Sequence, residues 1–243
     1  MPVGLRVATF AGVSADASSP PPDYLGHRQR LRQRFLAGEG AGMPDYEILE
    51  LILTGANPRG DVKPLAKELL RRFGTLGAVL SAAPERLAEV KGCGEAAVAL
   101  LKATREAGLR LLRGELGDRP VIGHWQALID YCRARLRHET NEQFRLIFLD
   151  VKNQVVADEQ QSRGTIDHTP VYPREVARRA LELGAAAVIM VHNHPSGDPT
   201  PSRADVEMTR QVAEALKTLG IAVHDHVVIG RDDWRSFRAL GLL

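Results

Sequence analysis

The run Ala185-Ala186-Ala187-Val188-Ile189-Met190-Val191 constrains the fold more than any other segment. It is apolar without interruption, opens after Gly184 and ends at His192. A strand with one wet face alternates apolar and polar residues, so an unbroken run of this length reads as a strand covered on both faces. The segments around it supply the cover. Pro173 opens a helix through Leu183, because proline is tolerated at the first helical position. Ser202 caps a helix from Arg203 to Leu219, and Ile221 to Ile229 is a further strand. Upstream, Trp125 to Leu136 reads as a helix and Phe144 to Asp150 as a strand, with Lys152-Asn153 turning the chain into a second strand, Val155 to Gln160. This alternation predicts a mixed α/β sandwich built on a central sheet, from residue 119 to residue 243.

The preceding part of the chain has a different texture. Residues 1–23 are rich in Ala, Ser and Pro and read as a disordered tail. From Tyr24 to about residue 113 every periodic segment is helical, and no strand-like alternation occurs before Arg119. Helices are expected at Tyr46 to Leu53, Leu65 to Phe73, Leu76 to Ala82, Pro84 to Val90 and Glu95 to Leu112, with Gly114 to Pro120 as a linker. With 44% hydrophobic and 26% charged residues the chain is ordinary globular material. Its two cysteines, Cys93 and Cys132, stand too far apart in sequence for a disulfide framework and read as buried hydrophobes. No apolar run approaches the roughly 20 residues of a membrane span, and no signal peptide is read at the N-terminus, so a cytoplasmic chain without a membrane partner is expected.

The chemistry concentrates where the buried strand ends, at His192-Asn193-His194-Pro195-Ser196-Gly197 and on to Ser202-Arg203-Ala204-Asp205. Residues i and i+2 of an extended segment point the same way, so the imidazoles of His192 and His194 can converge. Pro195, Pro199 and Pro201 stiffen the return to the next helix, whose first turn carries Asp205. Two nitrogens, one carboxylate oxygen and an open position are the donor set of a catalytic zinc site, whereas structural sites fill all four positions, often with thiolate. A His-x-His pair alone is ordinarily a loop accident; the complete spacing is what argues for a metal. A second pair, His224 and His226, is read as belonging to the sheet or to the surroundings of the ligands, where such a side chain can orient an imidazole.

His192, His194, Pro195, Ser202 and Asp205 together resemble the motif of the JAMM (MPN) metalloproteases, with Asn193 where many eukaryotic members carry Ser or Thr. The stretch Glu159 to Thr165, Tyr172-Pro173-Arg174-Glu175 and Asp225-His226 is similar to the RadC-like branch of that superfamily, whose bacterial members carry a DNA-repair label. The resemblance extends from Tyr24 to Leu243 and implies a cytidine-deaminase-like sandwich, one zinc ion held by His192, His194 and Asp205, and hydrolysis of an amide or isopeptide bond in an unknown peptide or protein substrate. It also implies a glutamate that activates water without binding the metal. Glu159 is the candidate, with Asp158 and Glu175 as substitutes and a solvated strand-end charge as the plain alternative. Ser202 would both cap its helix and stabilise the oxyanion at the attacked carbonyl. Thr165, Asp167 and His168 could line the substrate cleft.

The segment Leu87 to Leu101, turning at Gly92-Cys93-Gly94, resembles a helix-hairpin-helix, a unit that offers backbone N–H groups to a DNA phosphate. Between Tyr24 and Arg119 there are 16 basic and 12 acidic residues, a small surplus in the direction phosphate binding needs. Glu95, just past the second glycine, opposes it. A DNA-associated binding protein with a structural or vestigial metal site is therefore the alternative to a hydrolase.

Overall fold

Among the described residues up to Gly117, helices are the only regular elements, as the apolar periodicity predicts. The computed structural model describes residues 23–117, 120–163 and 171–243. Of the expected tail, residues 1–22 lie outside the described residues. The chain divides into two compact units, one ending at Gly42 and one spanning Met43–Leu243. The first contains α1 (Asp23–Gly38), which carries the basic stretch His27 to Arg34. The second opens with α2 (Asp45–Ala56), α3 (Lys63–Phe73), α4 (Leu76–Ser81), α5 (Pro84–Ala88) and α6 (Glu95–Leu116). Pro44 precedes α2, Pro64 lies in the first turn of α3, and the Thr75 side chain caps α4 by accepting from the Ala78 N–H. Leu49, Leu53, Leu69, Val79, Leu87 and Leu101 form the centre of their common core. Lys102 of α6 donates to the Leu80 and Ala82 carbonyls at 3.0 and 2.9 Å, a cation against the C-terminal end of α4.

The helix expected to stop at Leu112 runs through Gly114 to Leu116, and Leu112 and Leu116 pack into the core of the α/β part. A short 3-10 turn (Val121–His124) leads into α7 (Trp125–Leu136), then β1 (Gln143–Leu149), β2 (Val155–Arg163), α8 (Pro173–Glu182), β3 (Ala187–Asn193), α9 (Arg203–Lys217), β4 (Ala222–Ile229) and β5 (Trp234–Ser236). The strands form one sheet in the order β2-β1-β3-β4-β5. β1 is antiparallel to β2 and β3, β3 is parallel to β4, and β4 is antiparallel to β5. A parallel step needs a crossover, and α9 provides it between β3 and β4.

The apolar run of β3 divides between two layers as a doubly covered strand must. Val188 and Met190 join Phe144, Leu146, Val176 and Val212 under α8 and α9. Ala187, Ile189 and Val191 join Leu128, Ile129 and Cys132 under α7. His192 continues the alternation onto the α8–α9 face at the C-terminal end of the strand. Asn193 points to the opposite side, where its Oδ1 accepts from the Gln143 N–H at 2.9 Å and its amide donates to the Asn141 carbonyl at 3.2 Å. This side chain ties the end of β3 to the start of β1. The result is the expected architecture, a helical region followed by a mixed α/β sandwich. Cys93 and Cys132 are buried and unpaired.

Candidate metal centre

The ligand set is assembled within one strand–loop–helix unit. His192 is the penultimate residue of β3, and His194 follows the strand with its own N–H on the Ile229 carbonyl at 3.0 Å. Gly197, at φ +94°, turns the loop, and its carbonyl accepts from the Arg231 N–H at 3.0 Å, pinning the loop to the β4–β5 turn. Ser202 starts α9 through a capping box. Its Oγ accepts from the Asp205 N–H at 3.1 Å, while its own N–H and hydroxyl each donate to Asp205 Oδ2 at 2.7 Å. The carboxylate is thereby turned toward the imidazoles.

His192 Nε2 lies 3.4 Å from Asp205 Oδ1, His194 Nε2 lies 3.4 Å from Asp205 Oδ2, and the two Nε2 atoms are 2.9 Å apart. Donor atoms about 2.0–2.1 Å from a tetrahedral zinc stand roughly 3.3–3.4 Å from one another, so the set needs only a small opening of the imidazole pair. The His192 side chain is 1% exposed and that of His194 17%, so any approach from solvent is on the His194 side.

Acceptor-only groups around the imidazoles decide where their protons are. The Thr209 hydroxyl donates to the Asp205 carbonyl at 2.5 Å, so its oxygen must accept from His226 Nδ1–H at 2.7 Å. Burial pushes the pKa of His226 well below its usual value and keeps the ring neutral, leaving Nε2 with a lone pair. His192 Nδ1 lies 2.8 Å from that lone pair and must supply the hydrogen, which puts the lone pair of neutral His192 on Nε2. His194 reaches the same state more directly, because its Nδ1 faces the Asp198 carbonyl at 2.7 Å. Two imidazole lone pairs and a carboxylate therefore meet at one point. They repel unless a cation, a proton or a metal ion, stands among them. The electrostatics agree: the hydrogen bond to Asp205 raises the proton affinity of His194 against the opposing effect of its burial. Burial opposes the charge on Asp205, but the Ser202 hydrogen bond and those of the His192 and His194 imidazoles once they carry such a proton outweigh it and hold the carboxyl far below its ordinary range. His192, His194 and Asp205 are the one His/Cys/Asp/Glu group among the described residues arranged to share an ion.

Glu159 stands on the same sheet face as His192, level with Leu146 of β1 and Met190 of β3. Its partner is Arg179 of α8, at 2.5 to 3.1 Å through both carboxylate oxygens, and this guanidinium lowers its pKa. Asp158 takes the opposite face, buried in an ion pair with Arg145 at 2.8 Å and hydrogen-bonded by Tyr131. Glu175, in the first turn of α8, pairs with Arg178 at 3.1 Å. Thr165, Asp167 and His168 lie outside the described residues. Of the helical candidates, Gly92 and Gly94 are exposed, whereas Cys93 is buried in the helical core.

The second histidine pair does not stay together. The β3–β4 register slips between Val188 and Ile189, opposite His224. His224 instead meets Asn153 Oδ1 at 2.5 Å in the β1–β2 turn, while His226 turns to His192 and Thr209. Sequence reasoning missed Thr209 altogether. Its signal was spacing, since Thr209 follows Asp205 by four residues and so stands one turn further along the same face of α9.

A mixed sheet between helical layers, with His-x-His-Pro at a strand end and Ser-x-x-Asp at the next helix start, defines a JAB/MPN domain. The family model described as the RadC-like JAB domain matches residues 122–242. A UPF0758 protein of Rhodobacter capsulatus is 59% identical over 213 residues, 88% of this chain and 100% of that protein. Another UPF0758 protein, from Ruegeria pomeroyi, is 54% identical over 223 residues, 91% of this chain and 100% of its own. The chain belongs to the RadC-like JAB domain family. Among the described residues no helix is long and apolar enough to cross a membrane.

Proposed function

We propose that the chain is a zinc-dependent hydrolase of the JAMM type, acting on an amide or isopeptide bond of a peptide or protein. The observation that carries this reading is the convergence of the His192 and His194 lone pairs with the Asp205 carboxylate, each imidazole fixed by a partner on its far nitrogen. These three residues would hold the ion. Zinc in such a site polarises a carbonyl and lowers the pKa of its water to about 7.

The remaining work falls to the chain's own groups. Arg179 keeps Glu159 ionised, the form a base requires, and a shift of the guanidinium toward Glu182, which it also contacts at 3.0 Å, would release Glu159 Oε1 and Oε2 to take a proton and return it to the leaving amine. Ser202 can turn its hydroxyl from Asp205 Oδ2 toward a substrate oxygen while its backbone N–H, also at 2.7 Å, continues to hold the carboxylate.

Metal analysis of the purified chain should find about one zinc per molecule, and His194→Ala should lose it, since two ligands hold the ion poorly. Glu159→Gln should keep the metal and abolish turnover of peptide and isopeptide mixtures followed by mass spectrometry. Full zinc retention in His194→Ala refutes the ligand set; unchanged turnover in Glu159→Gln moves the base to another carboxylate.

A second reading, a DNA-associated protein, draws on the turn into α6. The helix begins at Glu95 after Gly94, an N-cap with no side chain to bond its first N–H groups, and Gly92 holds φ +90°, so backbone N–H groups are open to a phosphate.

A further inference from the structure

Beside the metal centre, a cavity of about 410 Å³ runs from His194, Pro195 and Gly197 across to the helical region, all within the unit Met43–Leu243. Its size is that of a ligand pocket rather than a surface wrinkle. The lining is unusual in charge. It includes Arg72, Arg86, Arg137 and Arg231 against a single acid, Glu139. That acid is committed elsewhere, to Arg105 at 2.8 Å and to the Gln143 amide at 2.7 Å.

The arginines are poorly neutralised. Arg72 pairs with Glu89, but among the described residues no carboxylate pairs with Arg86 or Arg231. Arg137 reaches Asp232 only at 3.9 Å, and its buried Nε has no hydrogen-bond partner among the described residues. Arg86 and Arg72 are held 5.4 and 5.7 Å from the Phe73 ring centroid, which fixes their planes without cancelling their charge. Burial, followed by the fields of Arg137, Arg105 and Arg231, lowers the pKa of His138 in the same wall. The four cations come from α3, α5, the end of α7 and the β4–β5 turn, so no single surface helix accounts for them.

We propose that this cavity binds an oxyanionic group, a carboxylate or a phosphate, carried by the substrate next to the bond that is cut. Guanidinium forks match the two oxygens of either group, and a cavity that already holds three weakly paired arginines recovers favourable energy when such a group enters. The inference rests on the hydrolase reading for what the anion belongs to, and not for whether an anion binds.

Calorimetric titration of the full-length chain at low ionic strength, with inorganic phosphate and with glutarate separately, tests it. At least one probe should bind, and the tighter one identifies the source of the oxyanion. Arg86→Gln combined with Arg231→Gln should weaken that binding about tenfold or more, the scale of losing charge-assisted hydrogen bonds, without changing zinc content. Arg210→Gln, which removes an exposed arginine on α9 paired with Glu207 and Glu214, should bind as the parent does. Failure of both probes to bind overturns the proposal. So does equal binding by the double variant, which would place the anion on the ion, and so does an equal loss in Arg210→Gln, which would reduce the effect to overall charge. A chain that binds the probe through Arg86 and Arg231 but carries no zinc would refute the hydrolase reading and leave the anion site standing.

Discussion

Replacing Thr209 by Val keeps the volume of the side chain and removes one hydroxyl, the group that fixes the tautomer of His226 among the described residues. With valine there, His226 Nδ1–H would face methyl groups inside the protein, and an unpaired buried donor costs about 1–3 kcal/mol. The ring escapes that cost by moving its proton to Nε2. It then donates to His192 Nδ1 instead of accepting from it, and the proton of His192 is driven onto Nε2, the atom aimed at Asp205. The lone pair that should meet the metal becomes an N–H. Binding an ion must now include restoring the first tautomer, so zinc affinity should fall roughly 5- to 150-fold, the equivalent of about 1–3 kcal/mol. Losses of this size are usual when a group that orients a ligand imidazole is removed. Competition with a chromophoric chelator measures the affinity, and a thermal melt checks that the fold is intact. Thr209→Ser retains the hydroxyl and should stay close to the parent. Parental zinc affinity in Thr209→Val would refute the relay, and so would a loss in Thr209→Ser as large as that in valine.

Gly230→Ala tests how tightly the ligand loop is held, because its Cβ would stand 2.4 Å from the Gly197 carbonyl oxygen and 2.8 Å from Pro199 Cδ. A destabilisation of about 1–3 kcal/mol is expected in a denaturant titration, together with weaker zinc binding as the loop and His194 move; an unchanged midpoint would show that the β4–β5 turn does not brace the site. Glu95→Lys replaces the acid in the first turn of α6 and should strengthen DNA binding with little sequence preference, in a manner that salt steeply reverses. Retardation of labelled duplexes across a salt series measures this, and indifference to the substitution would leave the α5–α6 turn as packing alone.

The parts of the site that were readable beforehand are those made by short-range rules. The buried run of β3, the same-side placement of His192 and His194, and the Ser202 cap each depend on neighbours within a few residues. His226 and the arginine cavity depend on tertiary pairing. His226 joins His192 only because β4 lies parallel to β3 with Met190 opposite His226, and the register slip beside His224 is what separates two histidines that look equivalent in sequence. A one-residue slip has no local signature when valine and histidine flank it. β5 escaped notice because three residues are too few to establish alternation. Strand alternation by itself puts Asp158 and Glu159 on opposite faces, but the arginines that engage them, Arg145 and Arg179, come from a neighbouring strand and from a helix beyond the sheet.

Asp205 does two jobs with one carboxylate. It closes the capping box of α9 and completes the set with His192 and His194. A relative without a metal centre would still use Ser202 and Asp205 to start its crossover helix, so selection for folding alone would preserve half of the motif. His194 has no such second employment among the described residues: its ring is partly exposed and its side-chain bonds there run within the loop and the site. Under the proposed function, a relative that loses the centre should therefore lose His194 before Asp205, and it is the histidine, not the aspartate, whose survival reports the capacity to hold an ion.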